Sequence, residues 1–273
     1  MISHPFDMLM ELDTRYIRLD CAALHLARDV YPGLALAPYL SRLDEMAEEV
    51  AARRPGLSAS LRYEAMRRVL TEQYELRGNE DDYYDPQNSY LNRVLERRLG
   101  IPITLSIVWL EVARRLKWPV AGAGLPGHFI IRFDDEERFV LVDPFRGGRT
   151  LSIDDCRRIL EHHFEGAIEF SPRFLEPVDV RYILARLLNN LRSIYVAQRD
   201  WRRVGQVLCR LAAVEPTNVR HLHELAALLY RQGDIRGALA HLATFLRRRP
   251  EAGRDFLMRE RLSHLEALMA SLN

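Results

Sequence analysis

The sequence predicts an α+β protein: a helical N-terminal region over residues 1–77, a core over 78–178 in which a buried helix packs on a small antiparallel sheet, and C-terminal helical hairpins over 181–273. Three observations predict it. Apolar residues recur at helical spacing through Tyr16–Val30, Leu40–Ala51 and Leu61–Leu76. Two β-prone runs, Gly127–Phe133 and Arg138–Pro144, flank the polar loop Asp134-Asp135-Glu136-Glu137, the pattern of an antiparallel hairpin. From about residue 181 no strand signal remains, and residues repeat at a 34-residue offset.

Pro32, Pro38 and Pro55-Gly56 separate the first three helices, and Ser58 or Ser60 offers a cap for the third. Gly78 to Asn88 is polar and turn-rich, either a plain acidic connector or the margin of a site. Ser89 to Arg98 reads as a helix ended by Gly100. Ile101-Pro102-Ile103-Thr104 opens another that runs to Leu116, with Pro102 in the first turn, where its missing N–H costs nothing. That helix is apolar on most faces, which predicts burial. Pro119 to Leu125 is a short apolar strand or loop. The hairpin follows, then the turn Phe145-Arg146-Gly147-Gly148-Arg149. A helix from Leu151 to Glu165 has Ser152 as its cap and Asp155 three residues on.

The 34-residue offset relates Pro216 to Pro250, Leu191 to Leu225, Gln198 to Gln232, Asp200 to Asp234 and Leu208 to Leu242. This is the period of the tetratricopeptide helix–turn–helix. Leu222, Leu225, Ala226, Leu229, Gly233, Ala238, Leu242, Phe245 and Pro250 fall on consensus-type positions. The preceding repeat matches through Leu188, Leu191, Tyr195, Val204, Leu208, Leu211 and Pro216, but Arg192 stands where a small residue is usual. Phe256 to Ser271 is expected as a capping helix. Two repeats bury too little surface to stand alone, so they are expected to pack on the first domain.

A net charge of +1 points to neither nucleic acid nor an anionic membrane. Cys21, Cys156 and Cys209 are odd in number and lack metal or redox spacing, which fits a reducing cytoplasm. The acidic N-terminus has no basic segment before an apolar run, and no stretch approaches the roughly 20 apolar residues of a membrane span. His162-His163 and His221-x-His223 diverge on a helix, so no metal is expected. Gly147-Gly148 is too short for a phosphate loop, and no cofactor is expected. Arg247-Arg248-Arg249 suits a solvated helix end.

With a four-residue loop, Phe133 pairs with Arg138 and His128 lies directly opposite Asp143, Cβ atoms about 5 Å apart. A carboxylate holding an imidazole is the orienter–base half of a catalytic triad; the structural alternative is a cross-strand hydrogen bond. Thr104 and Ser106, in the first turns of the buried helix, are either capping residues or hydroxyl nucleophiles. Asn88, Ser89 and Asn92 are expected to line a cleft with Pro102 and Gly127, or to tie down the polar loop.

Four blocks, Asn88-Ser89-Tyr90-Leu91-Asn92, Gly100-Ile101-Pro102-Ile103-Thr104-Leu105-Ser106, Pro126-Gly127-His128-Phe129 and Asp143-Pro144-Phe145-Arg146-Gly147-Gly148, resemble the bacterial SirB-type proteins over roughly residues 40 to 270. That family carries a transglutaminase-like, papain-type core followed by tetratricopeptide repeats. The resemblance implies a superfamily Cys-His-Asp site with the Cys at the N-terminus of the buried helix. His128 and Asp143 match it residue by residue. The Cys does not: Pro102 falls about where it belongs, and a small register change brings Thr104 or Ser106 there. The expectation is a non-catalytic protein or peptide binder that uses the degenerate cleft and the repeat groove. The alternative is an amide or ester hydrolase, or an acyltransferase, built on Ser106 or Thr104 with His128 and Asp143.

Overall fold

The computed structural model describes residues 4–136, 138–218, 220–248 and 256–271. Glu137 of the hairpin loop, Arg249 and the repeat proline Pro250 lie outside the described residues. The chain divides into two compact units: Leu12–Leu187, and Met1–Glu11 together with Leu188–Asn273.

The first unit begins with α2 (Leu19–Ala27), α3 (Ala37–Ala52) and α4 (Ala59–Arg67), counting the short α1 (Pro5–Leu9) of the other unit as first. Ser58 caps α4, its hydroxyl accepting from Leu61 N at 3.3 Å. A wider π turn over Arg68–Gln73 continues the helix. Next come β1 (Arg77–Gly78), α5 (Leu91–Arg97), β2 (Leu99–Gly100) and α6 (Pro102–Arg115), then β3 (Val120–Ala123), β4 (Ile130–Asp134), β5 (Phe139–Asp143), β6 (Arg149–Leu151), α7 (Ile153–Phe164) and β7 (Pro177–Val178). β1 and β2 form a small parallel pair. The other strands make one antiparallel sheet in the order β6-β5-β4-β3-β7. Its two edge strands were not legible as strands, being only two or three residues long.

Strand alternation sends side chains to both faces of this sheet. Ile131 and Phe133 occupy one face, where Trp109 of α6 meets the Phe133 ring edge-on with centroids 6.2 Å apart. Ile130 and Leu141 occupy the other and cluster with Cys156 and Leu160 of α7. α6 is buried along nearly its whole length, as its apolar faces require. Gly148 has a φ of +70°, and a Cβ there would stand 3.0 Å from the Trp109 ring, so the glycine turn lets the chain pass close over α6.

The hairpin register differs from the expected one. Phe133 pairs with Val140 and Asp134 with Phe139, so β4 runs one residue further and the loop is Asp135 to Arg138. Asp135 fixes this turn: its carboxylate accepts from Arg138 N at 2.9 Å and from Ala59 N, at the start of α4, at 3.2 Å. The second bond joins residues 76 apart in sequence and has no local signature. Because partners shift by two, each side chain keeps its face.

In the other unit, α8 (Val180–Ala197), which straddles the division, leads into α9 (Trp201–Val214), α10 (Arg220–Arg231), α11 (Ile235–Arg248) and α12 (Phe256–Ser271). The 34-residue match of Asp200 to Asp234 has a physical cause: both cap the second helix of a repeat, Asp200 through Arg203 N (3.1 Å) and Asp234 through Gly237 N (2.7 Å). Leu222, Ala226, Ala238 and Leu242 form the buried seam between α10 and α11. The unexpected Arg192 reaches across to the next repeat and pairs with Glu224 at 2.9 Å. No helix among the described residues is long and apolar enough to cross a membrane.

Candidate functional site

His128 and Asp143 do meet, but not as directly opposed strand residues. β4 starts at Ile130, so His128 lies in the approach to the strand. Gly127 makes that approach possible: its φ is +73°, and a Cβ there would come within 2.9 Å of the His163 ring. His128 N donates to Leu125 O at 3.0 Å, closing the turn. The imidazole then reaches diagonally, and its Nε2 lies 2.8 Å from Asp143 Oδ2. The other carboxylate oxygen, Oδ1, accepts from Phe145 N at 3.0 Å and Arg146 N at 3.4 Å. Asp143 is fully buried, and these donors compensate its charge. Fixing Nε2 on the carboxylate leaves Nδ1 as the second ring nitrogen, and it makes no hydrogen bond among the described residues.

The N-terminus of α6 is tied to the same end of the sheet. Asn79 N donates to Gly100 O and Gly78 N to Phe145 O, both at 3.0 Å. The Phe145 ring stands edge-on to His128, centroids 6.4 Å apart. Pro102 is the first residue of α6. Thr104 Oγ1 accepts from Ile101 N at 3.1 Å and lies 2.7 Å from Asn88 O, which takes its single proton. Ser106 is completely buried, and its Oγ has no hydrogen-bond partner among the described residues. Neither hydroxyl is therefore bonded to His128.

Asn88, Ser89, Asn92 and Pro102 are all buried, so they do not line an open cleft; Gly127 is exposed. Asn88 secures the polar loop: its amide donates to Asp82 O at 2.7 Å, and its oxygen accepts from Asn79 Nδ2 at 3.0 Å. Ser89 Oγ and Asn92 Oδ1 have no hydrogen-bond partner among the described residues.

Cys156 and Cys21 carry thiols that are shifted away from activation. Burial, then Asp155 and Asp143, push the Cys156 thiol up to about 11. Burial and Asp20 do the same for Cys21. Activation would require the opposite shift. Among the described residues no three His, Cys, Asp or Glu side chains gather as a metal site.

Several residues around the pair were not assigned to it by sequence. His163 of α7 packs at Gly127, and its pKa is lowered by burial and by the positive field of His128, His162 and Arg146. Arg186 Nη2 donates to His128 O at 3.1 Å, and Tyr83 stands edge-on to Phe145 at 5.8 Å. Phe145 and Arg146 lay inside a quoted motif and could have been found there. Arg186 is 58 residues from His128 in sequence and carried no such signal.

A fold of this kind with a His–Asp pair beside a buried helix N-terminus is that of transglutaminase-like proteins. The family model of the transglutaminase-like superfamily matches residues 37–189, and a tetratricopeptide-repeat model matches 191–263. The chain belongs to this superfamily, in the SirB-type arrangement of a transglutaminase-like core followed by tetratricopeptide repeats. It is 33% identical to a UPF0162 protein of Xylella fastidiosa, over 95% of this chain and 94% of that one. It is 32% identical to a UPF0162 protein of Pseudomonas aeruginosa, over 82% and 85%. Human F-box only protein 21 is 32% identical over 48% of this chain and 21% of its own length. No solved structure matches the chain.

Proposed function

We propose that this chain is a non-catalytic binding protein for a peptide or protein partner. The observation that carries the reading is the state of the two hydroxyls on α6: Thr104 delivers its proton to Asn88 O, and Ser106 is enclosed without a partner among the described residues. A base with nothing to activate performs no acyl transfer. His128 and Asp143 then act as a structural pair retained at the end of the sheet.

The repeats supply the binding surface. Val196 and Tyr230 are 34 residues apart, on the first helices of successive repeats, and are 44% and 45% exposed. His264 lies a further 34 residues on, and its ring is 6.2 Å from that of Tyr230. An exposed stripe renewed once per repeat is what a repeat groove offers a peptide. Cysteines that form no disulfide support a cytoplasmic location, and the near-zero net charge argues against nucleic acid or membrane partners.

The test selects peptides from a displayed library on the wild-type chain and measures their Kd on two variants. H128A should bind within about twofold of wild type, and V196E/Y230E should lose at least about tenfold, or 1.4 kcal/mol. Loss in H128A with retention in V196E/Y230E would sink the reading.

A further inference from the structure

The chain's own first helix shows what the second helix of the first repeat accepts. α1 is five residues long and packs on α9 within the same compact unit. A helix this short has no stability of its own in water, so its shape comes from the surface it lies on. Phe6 and, four residues on, Met10 are buried, while Met8 is exposed. Beside Phe6, the Asp7 carboxylate takes Arg210 of α9, with Nη1 2.9 Å from Oδ1 and 2.8 Å from Oδ2. The two side chains are 22% and 12% exposed, and the pair joins residues 203 apart in sequence. His4 caps the turn, its Nδ1 accepting from Phe6 N at 3.2 Å.

Arg210 lies off the surface on which the repeats stack. Gly205 faces α10, where a Cβ would stand 3.6 Å from Leu228 and 3.7 Å from Leu225. Five residues on, at about 100° each, Arg210 is turned about 140° away from it. Val207 and Val214 share the Arg210 face, three residues before it and four after, and both are buried. The exposed stripe of Val196 and Tyr230 is on the first helices of the repeats instead. The joint that follows α1 is exposed at Glu11, Leu12 and Asp13. On its far side Arg181 holds the chain, donating to Leu12 O and Thr14 Oγ1, both at 3.2 Å. Release of α1 at this joint leaves those bonds in place and uncovers an apolar face with a cation in it.

We propose that the Val207–Arg210–Val214 face of α9 is a docking site for a short acidic peptide helix, and that α1 occupies it as a built-in competitor. The partner it fits repeats the chemistry of α1: an aromatic residue, Asp or Glu directly after it, and an apolar residue four positions beyond the aromatic. Arg210 takes the carboxylate in a charge-assisted pair, and the two apolar side chains cover the valines. The site is separate from the repeat groove and stands or falls independently of it.

The test titrates a fluorescein-labelled peptide of residues 4–13 with the full-length chain and reads anisotropy. On the wild-type chain the tethered copy, at an effective concentration on the order of millimolar, holds the site, so the peptide should bind weakly. D7N loosens the tethered copy, and F6A/D7N loosens it further; the peptide should bind them at least about threefold and about tenfold tighter than wild type. Adding R210Q to F6A/D7N should cost about tenfold, and adding V196E/Y230E should change binding less than about twofold. Equal affinity for wild type and both variants, no binding to either variant, indifference to R210Q, or loss with V196E/Y230E would overturn the proposal. D7N keeps the buried Phe6, so if circular dichroism shows F6A/D7N unfolded, D7N and D7N/R210Q decide by the same criteria. A wild-type dimer that D7N dissolves would assign the face to a second copy through exchanged α1 segments, and overturn it as well.

Discussion

Thr104 offers the sharpest separation between a structural and a catalytic role. Replacing it by Val keeps the shape and removes the hydroxyl, leaving Ile101 N–H without its acceptor and Asn88 O without its donor in a fully buried place. Each buried group left unsatisfied costs about 1–3 kcal/mol, and loss of a helix cap about 0.5–2 kcal/mol, so T104V should lose roughly 2–4 kcal/mol. T104S keeps both bonds and gives up one buried methyl, a loss of about 1 kcal/mol. Urea unfolding followed by tryptophan fluorescence checks this in a W201F background, which leaves Trp109 and Trp118 in the unit that contains Thr104. With a slope of about 2–3 kcal/mol per molar, the T104V midpoint should fall by about 1 M. A T104V chain as stable as its parent would refute the reasoning, because the hydroxyl would then be bonded to nothing that matters for folding.

Three further outcomes follow from the same geometry. S106A removes a buried oxygen without a partner and should be neutral or stabilise by up to about 1 kcal/mol, measured by the same unfolding; a marked loss would show that Ser106 has a partner. Cys156, its thiol pushed up to about 11 and fully buried, should resist iodoacetamide at pH 8 until the chain is denatured; rapid labelling of native protein would contradict its packing. His163 should titrate by NMR below its ordinary value of 6.5, and R146Q should move the midpoint up. A histidine with a depressed folded pKa contributes stability above its unfolded value that is lost as pH falls through the folded one, so H163Q should flatten the stability curve just below pH 6.5.

Local rules made much of the fold legible. Pro102 at the first position of α6, the Ser152–Asp155 capping box of α7 and the paired caps Asp200 and Asp234 follow from short-range chemistry readable within four residues. The His128–Asp143 pairing was also readable, because a shift of two preserves faces. The register itself was not, since the Asp135 carboxylate answers to Ala59 N far away in sequence. The surroundings of the site were hidden for the same reason. His163 stood in sequence only as half of a divergent histidine pair and Arg186 as one more helical residue, and what brings them to His128 is tertiary packing. Asn88, Ser89 and Asn92 show the converse limit: polar residues in a turn-rich segment look like cleft margin, yet all three are interior.

The central claim is that His128 has no hydroxyl to activate. The most direct measurement is mass spectrometry of the full chain after incubation with a serine-directed fluorophosphonate probe, on wild type and H128A. The account predicts that Thr104 and Ser106 remain unmodified in both. An adduct on either residue in the wild type that disappears in H128A would contradict it, and would make the His128–Asp143 pair the working half of an active site.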